Sequence, residues 1–478
     1  MTIDVAYPGV GAVAHRATIR HPDRIAFRCG SESTTYREVG ALIRRGVGVL
    51  SAAELAPGAP IMQITGNLVQ AFALQMSAYL TGHPSVMLHA KVGAADRLRV
   101  LTDADPGMVV VDPDVLSAGG DSLSSELDRP CYSHGATTDL VDFWSLPQSE
   151  PDRTNGPKAE DIARIAYTGG TTGSPKGVLL SQRAMFAATM ISTCEMEWPD
   201  DPQFIVATPI THAGGTLIPS VLALGGTVHL HKTFDAEAVV HDIVEGADSV
   251  FLVPTMMYVV LDLLEARPAR VSGLKMLLYG ASSISAGRLQ QALDVFGPVL
   301  NQSYGQTEAP NTITILKADE HRPELLASSG LPYAGVTVVI LDADGQEVPT
   351  GTIGEICVRG PQLMTGYRGL PDATAQALRD GWLWTGDRGY VDEQGYVFHN
   401  GRSKDVIISG GYNIYPSEIE AVLDSDPDVL QSVVVGVPDD HWGEAVKAVV
   451  VRRAGVTTED ELRALVRSKK GPMLVPKS

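Results

Sequence analysis

Residues 165–181, IAYTGGTTGSPKGVLLS, combine glycine, threonine and a single lysine between two apolar runs. Glycines let backbone N–H groups approach an anion closely, and threonine hydroxyls add donors or can ligate a magnesium ion. Lys176 adds a compact positive charge on a long stem. The spacing is not that of the common P-loop, because Lys176 follows Pro175 and precedes Gly177. The segment is therefore either a phosphate loop of another kind or an ordinary glycine-rich turn.

Polar and glycine residues also follow two apolar segments that have the composition of strands. YGASSIS (279–285) follows LKMLL, and NQSYGQTEAP (301–310) follows FGPVL. Ligands of open parallel sheets bind beyond the carboxyl ends of the strands. In the second segment Tyr304 offers a flat face to a purine ring, Glu308 an oxygen ligand for magnesium and Thr307 a hydroxyl. Either segment alone is more typical of a simple loop, but together with the Gly/Thr loop they favour a nucleotide site.

A fourth dense stretch, residues 382–420, contains an acid and a base that could bind a sugar. Asp387 could accept hydrogen bonds from both hydroxyls of a ribose, and Arg402 could donate to them. The alternative for each residue is a salt bridge or a turn cap.

The elements around these motifs predict an α/β fold with more than one domain. Short apolar strands alternate with helical segments, which indicates βαβ units and a parallel sheet. Capping boxes at Thr35 with Glu38 and at Thr458 with Glu461 predict two helix starts. From about residue 325 the chain becomes rich in strands and turns, which indicates an antiparallel or barrel-like unit. Near residue 400 it changes again to a small α+β domain.

Composition excludes several classes of protein. The 478 residues are 44% hydrophobic and 19% charged, as in a globular protein, and they carry a formal net charge of −19. That charge argues against nucleic acid or an anionic membrane as the main partner. The four cysteines are scattered and predict neither a disulfide framework nor a zinc site, which suits the cytoplasm. We find no apolar run of membrane-spanning length and no signal peptide, so we expect no integral membrane contact.

These motifs together resemble those of the adenylate-forming enzymes: acyl-CoA synthetases, peptide-synthetase adenylation domains and beetle luciferases. The resemblance depends on YTGGTTGSPKGV, YGASSIS, NQSYGQTE, WTGD and GRSKDVIISGGYNIYPSEIE, in the order and at the distances usual in the family. It is most like that of the bacterial acyl-CoA ligases. It implies a large N-terminal domain, residues 1–402, with two αβαβα sheet subdomains and a distorted β-barrel. A small mobile α+β domain, residues 403–478, would follow.

The resemblance also implies roles for individual residues. It places ATP or AMP against Thr168, Gly169, Gly170, Thr171, Thr172, Gly173, Lys176, Gly280, Ala281, Ser282, Gln302, Ser303, Tyr304, Gly305, Gln306, Asp387 and Arg402. It places the acyl group against His212, Ala213, Gly214, Tyr279 and Gly280, and CoA against Gly410, Gly411 and Tyr412. The catalytic residues would be Thr307, Glu308, Lys404 and His212, with Glu308 binding Mg²⁺.

Within this scheme each nucleotide group has its own partners. The Gly/Thr loop would bind the β- and γ-phosphates, which leave as pyrophosphate. Gln302 would lie near the amino edge of adenine, and Tyr304 would stack on the adenine ring. Thr307 would contact the α-phosphate. Lys404 would be the hinge about which the small domain rotates between the two half-reactions.

The sequence departs from the family at two places. Gly169 stands where many members carry serine, which removes one hydroxyl donor. Members also usually continue for some tens of residues to a lysine in a Thr-x-x-Gly-Lys context, whereas this sequence ends with GPMLVPKS. The expectation is that the natural chain continues to that lysine, and the alternative is inefficient adenylation.

The function expected from this resemblance is that of an AMP-forming acyl-CoA ligase. It would use ATP, Mg²⁺ and coenzyme A to activate an apolar carboxylic acid, either fatty or aromatic. Two alternatives stay open: an adenylation enzyme that loads a carrier protein, and a non-catalytic nucleotide-binding protein. A homodimer is compatible with the sequence.

Overall fold

The computed structural model describes residues 9–114, 129–150, 156–168, 175–409, 412–426, 428–439, 442–452 and 457–478. The helices in these ranges are α1 (Val10–Arg20), α2 (Tyr36–Ala52), α3 (Val69–Leu80), α4 (Ala94–Ala104), α5 (Gln182–Glu195), α6 (Ala213–Ala223), α7 (Ala236–Val244), α8 (Pro254–Ala266), α9 (Ala286–Phe296), α10 (Pro371–Ala377), α11 (Pro416–Leu423) and α12 (Glu459–Lys470). Within the described part of the chain, no helix combines the length and the apolar character needed to cross a membrane.

The strands provide four sheets. They are β1 (Ile25–Cys29), β2 (Glu32–Thr35), β3 (Ile61–Thr65), β4 (Ser85–His89), β5 (Met108–Val111), β6 (Cys131–Ser133), β7 (Ile162–Thr168), β8 (Lys176–Ser181), β9 (Gln203–Val206), β10 (Thr227–Leu230), β11 (Ser249–Leu252), β12 (Met276–Gly280), β13 (Leu300–Gln306), β14 (Ala309–Leu316), β15 (Leu331–Pro332), β16 (Thr337–Leu341), β17 (Gly354–Arg359), β18 (Gly366–Tyr367), β19 (Leu378–Arg379), β20 (Trp382–Val391), β21 (Val397–Arg402), β22 (Ile407–Ser409), β23 (Tyr412–Ile414), β24 (Val429–Asp439) and β25 (Gly443–Arg452).

A nine-stranded sheet combines β1 and β2 with seven strands from the middle of the chain, in the order β15-β14-β13-β12-β11-β9-β10-β1-β2. The strands from β13 to β1 in that order run parallel, whereas β14, β15 and β2 are antiparallel to their neighbours. The parallel sheet predicted from the alternating pattern is therefore confirmed. Because parallel strands end at one edge of a sheet, the segments after β11 and β12 and the end of β13 lie at the same edge.

A seven-stranded sheet, in the order β18-β8-β7-β4-β3-β5-β6, is built mainly from the N-terminal part of the chain. Strands β6, β5, β3, β4 and β7 run parallel, and β8 and β18 are antiparallel additions at one side. The hairpin of β7 and β8 encloses the Gly/Thr segment, residues 169–174, which lies outside the described residues. The predicted phosphate loop thus connects two antiparallel strands and does not lead into a helix.

The two sheets share one apolar core. Its buried side chains include Phe27 of β1, Phe72 of α3, Val178 of β8 and Leu217 of α6. The predicted capping box at Thr35 starts α2, which packs into this core. A separate cluster covers the other face of the nine-stranded sheet with α7, α8 and α9. Both sheets therefore have helices on their faces, which holds their strand ends in fixed positions.

The rest of the chain forms two smaller sheets. One is antiparallel, in the order β16-β17-β20-β19 with β21 on β20, as the turn-rich sequence predicts. The other, in the order β23-β22-β25-β24, is covered by α11 and α12. The first sheet ends at Arg402 and the second begins at Ile407, on either side of the predicted domain boundary at 402/403.

Candidate active site

The hairpin of β7 and β8 positions the two described ends of the Gly/Thr loop. Thr168 and Lys176 are register partners across the hairpin. The ammonium group of Lys176 lies 5.0 Å from the centre of the Tyr367 ring, on β18 beside β8. Gly169, Gly170, Thr171, Thr172 and Gly173 lie outside the described residues. Their contacts with phosphate stay a prediction. Lys176, the cation of this loop, lies at its C-terminal end against the face of the Tyr367 ring.

Glu308 meets the same tyrosine. Thr307 and Glu308 form the turn between β13 and β14, and Tyr367 Oη donates to Oε1 of Glu308 at 2.8 Å. Burial raises the pKa of Tyr367, and the nearby Glu308 carboxylate raises it further. The phenol therefore stays protonated near neutral pH and acts as the donor. Tyr367 joins the predicted magnesium ligand to the lysine of the phosphate loop.

Asp387 is the centre of a second group of polar side chains. Its carboxylate is 6% exposed and accepts from Tyr304 Oη and from Gln306 Nε2, each at 2.6 Å to Oδ2. Arg402 Nε donates to Oδ1 at 3.1 Å. Burial and then the Asp387 charge raise the pKa of Tyr304 well above its usual value, so the phenol remains a donor. The structure thus brings together four residues that the resemblance assigns to ATP or AMP.

His399 closes one side of this group. Its ring meets Tyr304 edge-on, with centroids 4.2 Å apart and an interplanar angle of 81°. Burial lowers the pKa of His399, which favours the neutral imidazole. The sequence does not predict this role for His399, because the segment VFHNGR has no feature that distinguishes it from an ordinary strand.

The ends of β12 and β13 are held together closely. Gly280 is the register partner of Ser303, and a Cβ on Gly280 would lie 2.2 Å from the Ser303 carbonyl oxygen. Ala281 follows with φ of +69°, a left-handed conformation that L residues seldom adopt, and Ser282 is exposed. Such strain is typical of ligand-binding turns. Gly280, Ala281 and Ser282 therefore form a tight, open turn at the edge of the sheet.

Ser303 and Gly305 of β13 both contact Asn311 of the neighbouring strand β14. The Ser303 hydroxyl donates to the Asn311 carbonyl at 2.7 Å and lies 3.2 Å from Tyr333 Oη. A Cβ on Gly305 would lie 2.6 Å from the backbone of Asn311. Both residues therefore keep β13 and β14 in close contact, which fixes the position of the turn with Glu308.

The predicted acyl wall lies at the start of α6. His212 is the N-cap residue of α6, and its Nδ1 is 2.7 Å from Thr211 Oγ1. The His212 side chain is solvent-exposed. The surrounding protein still desolvates the ring in part, which lowers its pKa, and the charges of Arg164 and His89 lower the pKa further. The buried Arg164 donates to the Thr211 carbonyl at 2.6 Å. These contacts fix the segment that carries the neutral His212.

Ala213 and Gly214 are the next residues of this wall. The Ala213 carbonyl accepts from Asn311 Nδ2 at 3.2 Å, which links α6 to β14. A Cβ on Gly214 would lie 2.2 Å from Thr208 Oγ1, so a larger residue here would require the Thr208 side chain to move. Tyr279, a predicted wall residue on β12, has a fully buried ring. Its hydroxyl lies within hydrogen-bond distance of Gln302 and His321.

The predicted hinge and CoA residues lie between β21 and β23. Lys404 is exposed in a 3₁₀ turn, Ser403–Asp405, which connects the antiparallel sheet to the C-terminal sheet. Tyr412 begins β23 and is 57% exposed. Gly410 and Gly411 lie outside the described residues. The turn is the connection at which the predicted rotation would occur.

Comparison with known proteins agrees with this fold. A model of the AMP-binding enzyme family matches residues 14–368, and the AMP-binding enzyme C-terminal domain matches residues 418–478. The chain therefore belongs to the AMP-binding enzyme family, and the resemblance to adenylate-forming enzymes is confirmed.

Among similar proteins, the medium/long-chain-fatty-acid–CoA ligase FadD8 of Mycobacterium tuberculosis is 34% identical over 96% of this chain and 84% of its own. A feruloyl-CoA synthase of Amycolatopsis sp. is 34% identical over 98% of this chain and 94% of its own. The structure of the amide bond synthetase McbA from Marinactinospora thermotolerans has a TM-score of 0.89 and 33% identity, and the match covers 98% of this chain and 94% of that one.

These comparisons confirm the predicted fold, with a large N-terminal α/β domain and a small C-terminal domain. They also confirm the enzyme class: the chain is an AMP-forming acid–thiol ligase. Enzymes of this family use ATP and CoA. The relatives have different substrates, so their names do not determine the acid used here.

Proposed function

We propose that this chain activates an apolar carboxylic acid with ATP and transfers the acyl group to coenzyme A. The observation that carries the proposal is the convergence of motifs far apart in sequence. Glu308 and Lys176 share Tyr367, and Asp387 binds Tyr304, Gln306 and Arg402 at the carboxyl end of β13. A nucleoside and its phosphates need both groups side by side.

In this proposal the nucleoside lies between the two turns at the sheet edge. Gln302 faces the adenine edge, and Tyr304 lies against the base. The Asp387 carboxylate already accepts two hydrogen bonds at Oδ2 and one at Oδ1. Because a carboxylate has about four acceptor positions, Oδ1 keeps one for a ribose hydroxyl, next to Arg402. Thr307 contacts the α-phosphate at the turn.

The first half-reaction forms the acyl-adenylate. A carboxylate oxygen attacks the α-phosphorus, the bond to the bridging oxygen breaks, and pyrophosphate leaves. Lys176 and the backbone of residues 169–174 stabilise the negative charge of the leaving group. The neutral imidazole of His212 can donate a ring N–H hydrogen bond to the carboxylate and leaves it ionised.

The second half-reaction forms the thioester. The CoA sulfur attacks the acyl carbonyl, the carbon–oxygen bond to AMP breaks, and the thiol proton passes to solvent. We propose that the small domain rotates about Lys404 between the two steps, and that Gly410, Gly411 and Tyr412 flank the incoming thiol.

Mg²⁺ belongs to the proposal as the metal that accompanies ATP. A carboxylate oxygen is the ligand that Mg²⁺ prefers, and Tyr367 holds the Glu308 carboxylate through Oε1. When bound, the ion would neutralise part of the phosphate charge. Among the described residues, no group of three or more acidic, histidine or cysteine side chains forms a separate metal site.

We further propose an apolar acid, fatty or aromatic, and a cytoplasmic location. The wall formed by α6 is rich in small and apolar residues, with Leu217, Ile218 and Val221 buried behind it. All four cysteines are free, as in a reducing compartment. A role in fatty acid metabolism and a homodimeric state are compatible with this proposal.

The experiment is a panel of fatty and aromatic acids assayed for AMP release, with ATP and Mg²⁺, in the presence and absence of CoA. We expect AMP release and thioester product that depend on both an apolar acid and CoA. Acyl-adenylate without thioester would point to a carrier-protein acceptor, and ATP binding without turnover of any acid would contradict the proposal. Asp344→Asn, at an exposed turn, serves as a control that should turn over normally.

A further inference from the structure

A chain of three side chains leads from the expected adenine edge into the protein. Tyr279 Oη lies 3.3 Å from Gln302 Oε1 and 3.0 Å from His321 Nε2. His321 Nδ1 in turn lies 2.8 Å from the carbonyl oxygen of Lys317. Tyr279 and Gln302 are register partners on β12 and β13, so their side chains leave the sheet on the same face.

The carbonyl of Lys317 determines which nitrogen of His321 carries the proton. A carbonyl oxygen only accepts, so Nδ1 must donate to it. The neutral imidazole then has an acceptor at Nε2, and the phenol proton of Tyr279 goes to that atom. Burial lowers the pKa of His321, against the opposing effects of the Lys317 carbonyl, Glu320 and Glu197, which favours this neutral form.

The segment that holds His321 is itself fixed. Glu320 Oε2 accepts from the backbone N–H of Lys317 at 2.7 Å, and Oε1 accepts from Tyr396 Oη at 2.8 Å. The ring of Tyr279 is fully buried. The positions of the phenol and of the imidazole are therefore held by their surroundings.

A phenol has one proton, so it cannot donate to His321 and to Gln302 together. With the proton on the His321 side, the Tyr279 oxygen offers only lone pairs to the Gln302 amide. The two ends of an amide have nearly the same shape, so hydrogen bonding decides which end lies where. Because the NH₂ group is the end that satisfies a lone pair, we assign NH₂, and not Oε1, to the position next to Tyr279. The distance of 3.3 Å is long for an O–H···O bond and closer to the range of N–H···O bonds.

We propose that His321, acting through Tyr279, fixes the amide orientation of Gln302 and thereby selects a 6-aminopurine over a 6-oxopurine nucleotide. With its NH₂ toward Tyr279, Gln302 presents its carbonyl oxygen to the base. That oxygen accepts from the exocyclic amine of adenine, whereas it would face the O6 acceptor of a 6-oxopurine. His321 and Tyr279 are positioning residues, since neither contacts the nucleotide. This inference rests on the proposed adenine position at Gln302.

The test compares the affinities of three nucleotides by calorimetry with Mg²⁺: ATP, inosine triphosphate and purine riboside triphosphate. The last has only hydrogen at position 6, so it reports every other contact of the nucleotide. Tyr279→Phe removes the hydroxyl and keeps the buried ring, and His321→Leu removes the acceptor. Gln302→Ala removes the amide, and circular dichroism checks the fold of each variant.

We expect the wild type to prefer ATP, and both positioning variants to reduce the ATP/inosine triphosphate affinity ratio by about 3- to 10-fold, the effect of one hydrogen bond. Their affinity for purine riboside triphosphate should stay within about twofold of the wild-type value. An unchanged ratio in either folded variant would overturn the inference, and so would an equal loss for all three nucleotides. If Tyr279→Phe does not fold, His321→Leu decides.

Gln302→Ala separates this inference from the proposed function. If that variant keeps the wild-type ratio, the base does not lie at Gln302 and the inference is wrong, although AMP release with an acid and CoA would still support the ligase. If the wild type neither binds ATP nor releases AMP, the proposed function fails first.

Discussion

Tyr367 Oη donates to Oε1 of Glu308 at 2.8 Å, across 59 residues of sequence. The tyrosine stands on β18, a short strand added to the seven-stranded sheet, and Glu308 stands in a turn of the nine-stranded sheet. This hydrogen bond thus links the two sheets where the phosphates of ATP are expected. The same ring faces the ammonium group of Lys176 at 5.0 Å.

Tyr367→Phe should weaken the use of Mg²⁺ and keep the contact of the ring with Lys176. A hydrogen bond to a charged group contributes about 1.5–3 kcal/mol, so we expect at least a tenfold fall in kcat/KM for ATP–Mg²⁺. AMP release measured over a range of Mg²⁺ concentrations provides the readout. Tyr390→Phe is the matched control, because Tyr390 stacks on Phe398 within the β20–β21 hairpin. A Mg²⁺ dependence identical to the wild type would contradict the assignment.

Asp387→Asn should reduce both ATP affinity and stability. The buried carboxylate accepts from Tyr304, Gln306 and Arg402, and an amide cannot accept at both ends. We expect the free energy of unfolding to fall by about 1–3 kcal/mol and the Kd of ATP to rise about tenfold or more. Urea denaturation and calorimetry measure the two effects, with Asp344→Asn as the control. Unchanged ATP affinity in a folded variant would rule out the ribose role.

Much of the fold could be predicted from the sequence because its signals are local. The capping boxes at Thr35 and Thr458 start α2 and α12 as expected, and Pro416 begins α11. The strands β9 to β13 follow from short apolar runs between turn residues. In contrast, α6 was predicted only as part of a pocket wall, because Gly214, Gly215 and Pro219 disfavour a helix. Tertiary packing in the core outweighs that local preference.

The site could be predicted only where its residues belong to a motif. Asp387 and Arg402 are partners in the β20–β21 hairpin and form the salt bridge that was the alternative for each, so their ribose role stays a prediction. Tyr367 and His321 carry no sequence signal, because the contacts that give them a role come from strands distant in sequence. The network around Gln302 depends on hydrogen-bond direction between side chains, which no spacing encodes.

Lys404→Pro should separate the two half-reactions. Lys404 lies in the 3₁₀ turn between the last strand of the antiparallel sheet and the first strand of the C-terminal sheet. Proline fixes φ near −65°, so rotation at this residue would be restricted. We expect thioester formation from supplied acyl-adenylate to fall at least tenfold, because the domain rotation it needs is lost. ATP–pyrophosphate exchange should persist.

Lys404→Ala is the control for the loss of the side chain alone and should support both steps. Equal loss of both half-reactions in Lys404→Pro would show that the residue acts on the chemistry or the fold and not as a hinge.

His134 should give the protein a measurable acid sensitivity. Burial lowers its pKa from 6.5 to about 3, and its Nε2 lies 3.0 Å from Gln63 Oε1. Above pH 6.5 both folded and unfolded states hold the neutral ring, so there is no contribution. As the pH falls from 6.5 towards 3, only the unfolded state gains the proton, and stability decreases by about 1–2 kcal/mol between pH 7 and pH 5.

His134→Asn removes this titration and should lose less stability than the wild type over the same pH interval, in urea denaturation at each pH. His241→Asn, on a side chain that is 72% exposed, is the control. Parallel pH profiles for wild type and His134→Asn would refute the effect.

Gly280→Ala should disturb the nucleotide edge of the sheet. The added Cβ would lie 2.2 Å from the carbonyl oxygen of Ser303, and both atoms belong to paired backbone segments. Because neither β12 nor β13 can yield by a side-chain rotation, the strands must separate, which costs about 1–3 kcal/mol of the free energy of unfolding. The separation would also move Gln302, the register partner of Tyr279, so ATP affinity should fall in the same variant.

Urea denaturation and calorimetry test both effects against Gly273→Ala, where the nearest atom, the Ile243 carbonyl oxygen, is 3.7 Å away. If both alanine variants behave alike, the close approach of Gly280 to Ser303 is not what requires glycine there.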